Sequence, residues 1–592
     1  MPTILADPPT LPREVLSAGE QRFERIRRRA GAVIAPLLFA ILLAAPMNGL
    51  SPEAHRLAAV MGAVVVLWMT EALPMPATAL LGAAACVALR VAPAREVFAP
   101  FADPLMFLFI GSFILARAIF LHGLDRRVAY GVLAWPWLGG RPARVMVAFG
   151  VVTAMISAWI SNTATTAMMF GIGISLLAVM ERAREDGRPG LDPRFGTGLM
   201  LLTSFAASVG GLATPVGTPP NVIGIGFIRS QLGVEITFFE WMAIGLPTML
   251  VLLVALTAYL LRVSPAGAAS LGAGTEAIRR ERAALGGWST GERSVAIAFL
   301  ATVALWILPG ACALALGESS PVFRELSARL PEGVAALAGA LLLFVLPGGG
   351  GRRAIDWEQA VRIDWGVVLL YGGGFALGVL SFSTGLAEAI GRGLTGMLPV
   401  QGDFGLLVAS VLVAVIVSET TSNTASANLV VPVVISVARA AGVDPLAPAI
   451  AATLAASLGF MLPVSTPCNA IVYGSGRIPL MRMVRSGLVL DVIGIVVIVS
   501  ETTSNTASAN MVVPVVISVA RAAGVDPLAP AIAATLAASL GFMLPVSTPC
   551  NAIVYGSGRI PLMRMVRSGL VLDVIGIVVI VSMVSMLAPL LR

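Results

Sequence analysis

Ser161-Asn162-Thr163 is followed by Thr218-Pro219-Pro220-Asn221, and Ser422-Asn423-Thr424 is followed at similar range by Thr466-Pro467-Cys468-Asn469. Each pair is an island of polar and helix-breaking residues in strongly apolar surroundings. Hydrocarbon offers no partners to unpaired N–H and C=O groups. Irregular backbone at membrane depth is therefore tolerated only where it is buried in protein or lines a cavity. Two such interruptions in corresponding positions of two halves point to a solute site near the bilayer midplane.

The composition agrees with a membrane setting. The chain has 592 residues, of which 57% are hydrophobic and 12% charged, against roughly 25% charged in a soluble domain. Apolar runs recur from Gly31 to the C-terminus, each near the ~20 residues a membrane-crossing helix needs. The expected fold class is an all-α polytopic membrane protein. The net charge of +7 is not a nucleic-acid footprint, because the basic residues sit in short loops between apolar runs. Cys86, Cys312, Cys468 and Cys550 lie inside apolar runs without zinc or disulfide spacing, and read as small buried apolar groups. His55 and His122 lack a neighbouring ligand set. No nucleophile–base pair suggests an enzyme, and Met1–Arg29 lacks the apolar core of a cleavable signal.

Membrane spans are expected at about 32–49, 56–72, 76–92, 101–123, 238–263, 293–314, 330–347, 364–386 and 569–591. Between them lie two re-entrant hairpins, 144–180 and 403–438, and two interrupted helices, 197–231 and 446–476. Counting each interrupted helix as one span gives about eleven. The organisation is a polar N-terminus (1–30), a first repeat (31–263, scaffold spans 31–123), a linker (264–292) and a second repeat (293–500). Residues 501–582 and 583–592 follow.

Arg22, Arg25, Arg27, Arg28 and Arg29 place the N-terminus in the cytoplasm by the positive-inside rule, expected to be that of a bacterial inner membrane. Counting spans from there, the first hairpin enters from inside, flanked by Arg141, Arg144, Arg182, Arg184 and Arg188. The second enters from outside, and Gln401-Gly402-Asp403 at its flank has no basic residue. Gly111-Ser112-Phe113 aligns on Gly373-Gly374-Phe375 at an offset of 262, and Ser161 on Ser422 at 261. Together these readings describe an inverted-repeat transporter.

A second repeat is of another kind. Residues 419–500 reappear as 501–582, an 82-residue tandem duplication with one difference, Leu429 against Met511. Ile-Val-Ser stands at 416–418, 498–500 and 580–582, as slippage at a short identical stretch would leave it. From Gly487 to Ser500 only fourteen residues precede the copied tip, too few for a full span. One copy is expected to be supernumerary, and the first copy is expected to form the site. Ser504, Asn505, Thr506, Thr548 and Pro549 are its twins.

Trp68-Met69-Thr70-Glu71-Ala72-Leu73-Pro74-Met75-Pro76, both Ser-Asn-Thr tips and both Thr-Pro-x-Asn loops resemble the divalent anion/sodium symporter family over nearly the whole chain outside the duplicated block. The resemblance implies homodimers with a scaffold and a moving transport domain (an elevator mechanism). It also implies di- or tricarboxylate, in some members sulfate, carried inward with sodium. It places one sodium site on Ser157, Ser161, Asn162 and Gly217, and a second on Ser418, Thr421, Asn423 and Ser465. Substrate carboxylates would meet Asn162, Thr163, Thr218, Asn423, Thr424 and Thr466, beside Pro219 and Pro467. Cys468 departs from the family's second proline.

These residue types suit the task. Sodium prefers oxygen ligands, which hydroxyls, amide oxygens and the carbonyls freed at a broken helix supply. The amide end of a broken helix favours an anion, and the carbonyl end a cation. No Lys or Arg lies in either tip or loop, so bound sodium and helix dipoles would neutralise a dianion, and losing the sodium would loosen it. The expectation is therefore two pockets without charge. Ser157 alone would commonly bond its own helix backbone or a neighbouring helix, whereas paired Asn residues at hairpin tips lean functional. Glu71 and Arg117 are expected to pair or snorkel, while Glu419 neighbours the second tip. Gly372-Gly373-Gly374 reads as close helix packing, because no Lys-Ser/Thr follows it. The expected activity is sodium-coupled uptake of dicarboxylates such as succinate, malate and fumarate. A sodium-independent exchanger, a sulfate or citrate carrier and an anion channel are the alternatives.

Overall fold

The computed structural model describes residues 18–47, 49–185, 192–265, 272–317, 320–397 and 402–502. The twins Ser504, Asn505, Thr506, Thr548 and Pro549 and the expected span at 569–591 lie outside the described residues. Among the described residues the only strands are the short antiparallel pair Pro347–Gly349 and Arg352–Arg353; the rest of the regular structure is helical. Seven helices are long and apolar enough to cross a membrane: 52–70, 94–122, 162–181, 193–213, 238–263, 290–313 and 365–383. The pair Pro321–Arg329 and Glu332–Leu343, bent by 58°, would make an eighth.

The helix expected at 330–347 therefore arrives as a bent pair. Pro331 has no N–H to donate and pushes Leu330 out of helical geometry. Shorter apolar helices, Met75–Ala88, Pro142–Ser157, Gly405–Thr420 and Leu446–Ala455, cluster where Pro, Gly or the Ser-Asn-Thr tips interrupt the pattern. Phe238–Val263 and Thr290–Leu316 match the expected spans within a few residues. Both begin at a full capping box, Thr237 with Glu240 and Ser289 with Glu292.

Burial separates centre from periphery. The apolar window of Pro193–Ala213 is 100% buried, whereas that of Thr290–Ala313 is 33% buried. The helix that breaks at Thr214 thus sits at the heart of the molecule, where protein rather than lipid surrounds its open backbone. Small residues allow that density. A Cβ on Gly210 would fall 2.4 Å from the Ala154 carbonyl oxygen, and one on Gly373 would strike Ala79 at 2.6 Å. The Gly372–Gly374 run is therefore close helix packing. Phe205 and Phe460 meet edge to face at 5.2 Å, joining the two broken helices in one core.

Several elements escaped the sequence reading, Pro321–Arg329 and Leu386–Met397 among them, and three more bear on the linker and the site. Leu124–Leu133 and Gly272–Ala284 are short helices that pack on each other, and the second also packs on Asn162–Glu185. Arg127 fastens the linker end, its guanidinium donating to Glu292 Oε1 at 2.6 Å and to the carbonyls of Leu285, Gly286 and Gly287 at 3.1 Å. The third is a continuous 23-residue helix, Leu480–Thr502, about 34 Å long at 1.5 Å per residue. The count of fourteen residues began at Gly487; the helix begins seven residues earlier, with Arg482 and Arg485 inside it. The first copy thus ends on a helix of span length.

Candidate functional site

The first tip is a four-residue turn, 158–161, between the helices Pro142–Ser157 and Asn162–Glu185. Ser157 is fully buried; its hydroxyl lies 2.7 Å from the Asn162 amide and donates to Ala207 O at 2.7 Å. The Asn162 amide satisfies its surroundings with nitrogen turned to Gly217 O (3.2 Å) and Ala207 O (3.0 Å), an orientation set by the hydrogen-bond network. Gly217 has to be glycine, since a Cβ there would lie 2.5 Å from Gly211 O. Ser157, Asn162 and Gly217 therefore converge. Ser161 is exposed, and its hydroxyl accepts from Ala164 N at 3.3 Å, capping its own helix.

The second tip repeats the plan. Ser418 donates to Asn423 Oδ1 at 2.9 Å and to Ala456 O at 2.8 Å, and Asn423 Nδ2 donates to Ser457 O at 3.3 Å. Thr421 is turned back along its helix, donating to Val417 O at 2.9 Å, and does not join the cluster. Ser465 is held by Glu419, donating to its carboxylate Oε2 at 2.6 Å and to its carbonyl at 3.0 Å. This corrects the expectation of two uncharged pockets, because the second contains a carboxylate. Its signal, an acid one residue past Ser418, was visible but had no partner to argue from.

Each break is opened by a threonine in extended backbone, Thr218 at φ −148° and ψ 142°, Thr466 at φ −142° and ψ 148°. Pro219 and Pro467 then start the next helix at N1, where their missing N–H costs nothing. Thr218 and Thr466 are buried at 2% and 6% exposure, whereas Thr163 and Thr424 are half-buried at the tips.

Sequence reasoning passed over the residues that hold the gaps open. Asn221 and Asn469, both 0% exposed, end the Thr-Pro-x-Asn motifs. Asn221 Nδ2 donates to Gly211 O (2.9 Å) and Thr214 O (2.8 Å); Asn469 Nδ2 donates to Gly459 O (3.0 Å) and Leu462 O (2.9 Å). Each amide takes up two carbonyls the interrupted helix cannot bond itself. The two halves also meet here. Ser204 donates to Asn469 Oδ1 at 2.6 Å, and the helix Pro467–Tyr473 packs on both Asn162–Glu185 and Pro193–Gly211. The second break thus abuts the first tip.

Among the described side chains, Glu71 pairs with Arg27 at 3.2 Å, as expected, while the Arg117 Nε is buried without a hydrogen-bond partner. Among the described residues the arrangement sets hydroxyl, amide and carbonyl oxygens beside the amide ends of the helices opened by Pro219 and Pro467, with no Lys or Arg in either tip or break.

The family described as "Sodium:sulfate symporter transmembrane region" matches residues 27–503 and again 498–591. The chain belongs to this divalent anion/sodium symporter family. The second match covers the duplicated block. The sodium-dependent dicarboxylate transporter SdcS of Staphylococcus saprophyticus is 34% identical over 489 residues, covering 81% of this chain and 92% of that protein. SdcS of Staphylococcus aureus is 32% identical over 478 residues, covering 79% and 89%. Two solved transporters are more distant: YdaH of Alcanivorax borkumensis (14% identity, TM-score 0.44, covering 81% and 97%) and MtrF of Neisseria gonorrhoeae (14%, 0.48, 79% and 96%). Membership of this family makes the chain an integral membrane transporter and not an enzyme.

Proposed function

We propose that this protein is a sodium-coupled secondary active transporter of C4-dicarboxylates such as succinate, malate and fumarate. The observation that carries the reading is the convergence of Ser157, Asn162 and Gly217 at one break and the matching Ser418–Asn423 pair at the other, with Ser465 held nearby on Glu419. The dicarboxylate specificity named for the SdcS relatives supports the substrate class. Sodium would be held by oxygens of Ser157, Ser161, Asn162 and Gly217 and of Ser418, Thr421, Asn423 and Ser465. Ser161 and Thr421 would have to turn their hydroxyls inward to take part. The substrate carboxylates would lie against Asn162, Thr163, Thr218, Asn423, Thr424 and Thr466, with Pro219 and Pro467 shaping the approach.

In this reading the tips 144–180 and 403–438 are re-entrant hairpins entering from opposite faces, and the N-terminus is cytoplasmic. The protein works as a homodimer in a bacterial inner membrane, moving its site by an elevator motion. The first copy of the duplicated block forms the second tip, supported by the Leu480–Thr502 helix that completes it. Uptake of labelled succinate into proteoliposomes, with and without an inward sodium gradient, tests the proposal. Uptake unchanged by removing sodium would favour a sodium-independent exchanger instead.

A further inference from the structure

Glu419 and Asp491 form a buried carboxyl pair beside the second break. Glu419 is 3% exposed, and both its oxygens are occupied: Oε1 accepts from Met461 N at 2.8 Å, Oε2 from Leu462 N at 3.2 Å and from Ser465 Oγ at 2.6 Å. Asp491, on the Leu480–Thr502 helix, is 2% exposed. Neither of its oxygens takes part in a full hydrogen bond, and the groups that face it are the Glu419 carboxyl and the Phe460 backbone amide.

Among the described residues the surroundings offer no compensating cation. The helices packed on Leu480–Thr502 are Phe238–Val263, Leu446–Ala455 and Gly402–Thr420. The first carries Glu240, Tyr259 and Arg262, with the Tyr259 hydroxyl spent on Ser486 at 3.4 Å. The second carries no titratable group, and among its described side chains the third brings Glu419. On Asp491's own helix, Arg482 bonds to Val263 O at 2.7 Å, and Arg485 is exposed. The break, 456–466, has no charged residue.

Two ionised carboxylates cannot share a dry site at this range without something positive between them. Glu419 already accepts from three donors, whereas the Phe460 amide alone approaches Asp491. Sodium would need several oxygen lone pairs converging on it, whereas those of Glu419 are already spent on Met461 N, Leu462 N and Ser465 Oγ. We propose that Asp491 carries a proton, donates it to Glu419, and so positions the 461–466 loop with Ser465 and Thr466 against the second tip. The inference rests on the reading of that tip as part of the transport site. Asp491 acts through Glu419 and touches neither solute.

The proton sits on Asp491 below that carboxyl's pKa. Raising the pH removes it, the pair repels, and the loop loses its support. Asp491→Asn keeps a donor at the same place, and Asp491→Leu does not. In proteoliposomes made with the full chain, Asp491→Asn should keep sodium-driven uptake within about twofold and lose the wild-type fall at alkaline pH. Asp491→Leu should raise the half-saturating sodium concentration by about tenfold, the loss of roughly one hydrogen bond to a charged group. Where Asp491→Leu does not fold, the infrared difference spectrum of wild type against Asp491→Asn at neutral pH decides. The carbonyl-stretch band of a protonated carboxylic acid should be present in the wild type and lost in the variant, the twin Asp573 cancelling between them. No such band, or an Asp491→Asn protein as impaired as Asp491→Leu, overturns the proposal. The band is independent of the site reading, which fails separately if Asn423→Ala transports normally.

Discussion

At the first break, Thr214 donates to the Ala158 carbonyl at 2.5 Å, and the support is neutral throughout. At the second break, Glu419 stands where Ala158 stands in the first, and gathers two backbone amides and the Ser465 hydroxyl onto one carboxylate. The helix after the first break runs for 14 residues and that after the second for 7. One backbone plan is thus braced in two ways, by fit in the first half and by a buried charge in the second. Fit is sensitive to added volume, whereas a buried charge is sensitive to the loss of any partner.

The largest expected effect tests what the halves share. Asn162→Ala and Asn423→Ala each remove an amide that anchors a tip, and each should lower succinate uptake by about a hundredfold or more. That corresponds to two or three lost hydrogen bonds at about 1 kcal/mol apiece. A large loss in only one half would break the symmetry. Glu419→Ala comes next: it leaves Met461 N and Leu462 N without an acceptor, at about 1–3 kcal/mol for each buried group left unmet, while Ser465 Oγ keeps the backbone carbonyl of residue 419. It should show as a clear fall in the thermal midpoint of the purified protein, with Ala158→Gly costing about 1 kcal/mol or less.

Gly211→Ala should cost about 1–3 kcal/mol by overpacking, since its Cβ would meet the Asn162 amide at 2.6 Å; at Gly459 the nearest atoms are 3.2 Å away. Gly459→Ala should therefore be clearly milder in the same thermal assay, and equal costs would remove the distinction between fit and charge. The smallest effect concerns the exposed ion pair of Glu181 and Arg477, which ties the first exit helix to the loop after the second break. Arg477→Ala should shift stability by about 0–1 kcal/mol, measured in low and high salt.

The fold was legible wherever irregularity is expensive. Asn162, Asn423 and the Thr-Pro motifs are costly at membrane depth, so their presence alone marked the tips and breaks. The Phe238–Val263 helix stood out because its apolar run is of full span length. What escaped depends on partners far along the chain. Nothing local to Asn221 or Asn469 says that its amide reaches back ten residues to a stranded carbonyl. Glu419 and Asp491 lie 72 residues apart and give no joint signal in sequence. The Leu480–Thr502 helix was cut short because Arg482 and Arg485 read as loop, although a helix end can carry them at its rim.

The clamps of Asn221 and Asn469 bear on the unloaded protein. Because each gap is propped by a side chain of its own helix, cargo is not needed to keep it from annealing into a straight rod. On the proposed transport reading, an unladen carrier built this way would keep both receptacles ready, so an arriving solute would fill a prepared seat instead of having to carve one.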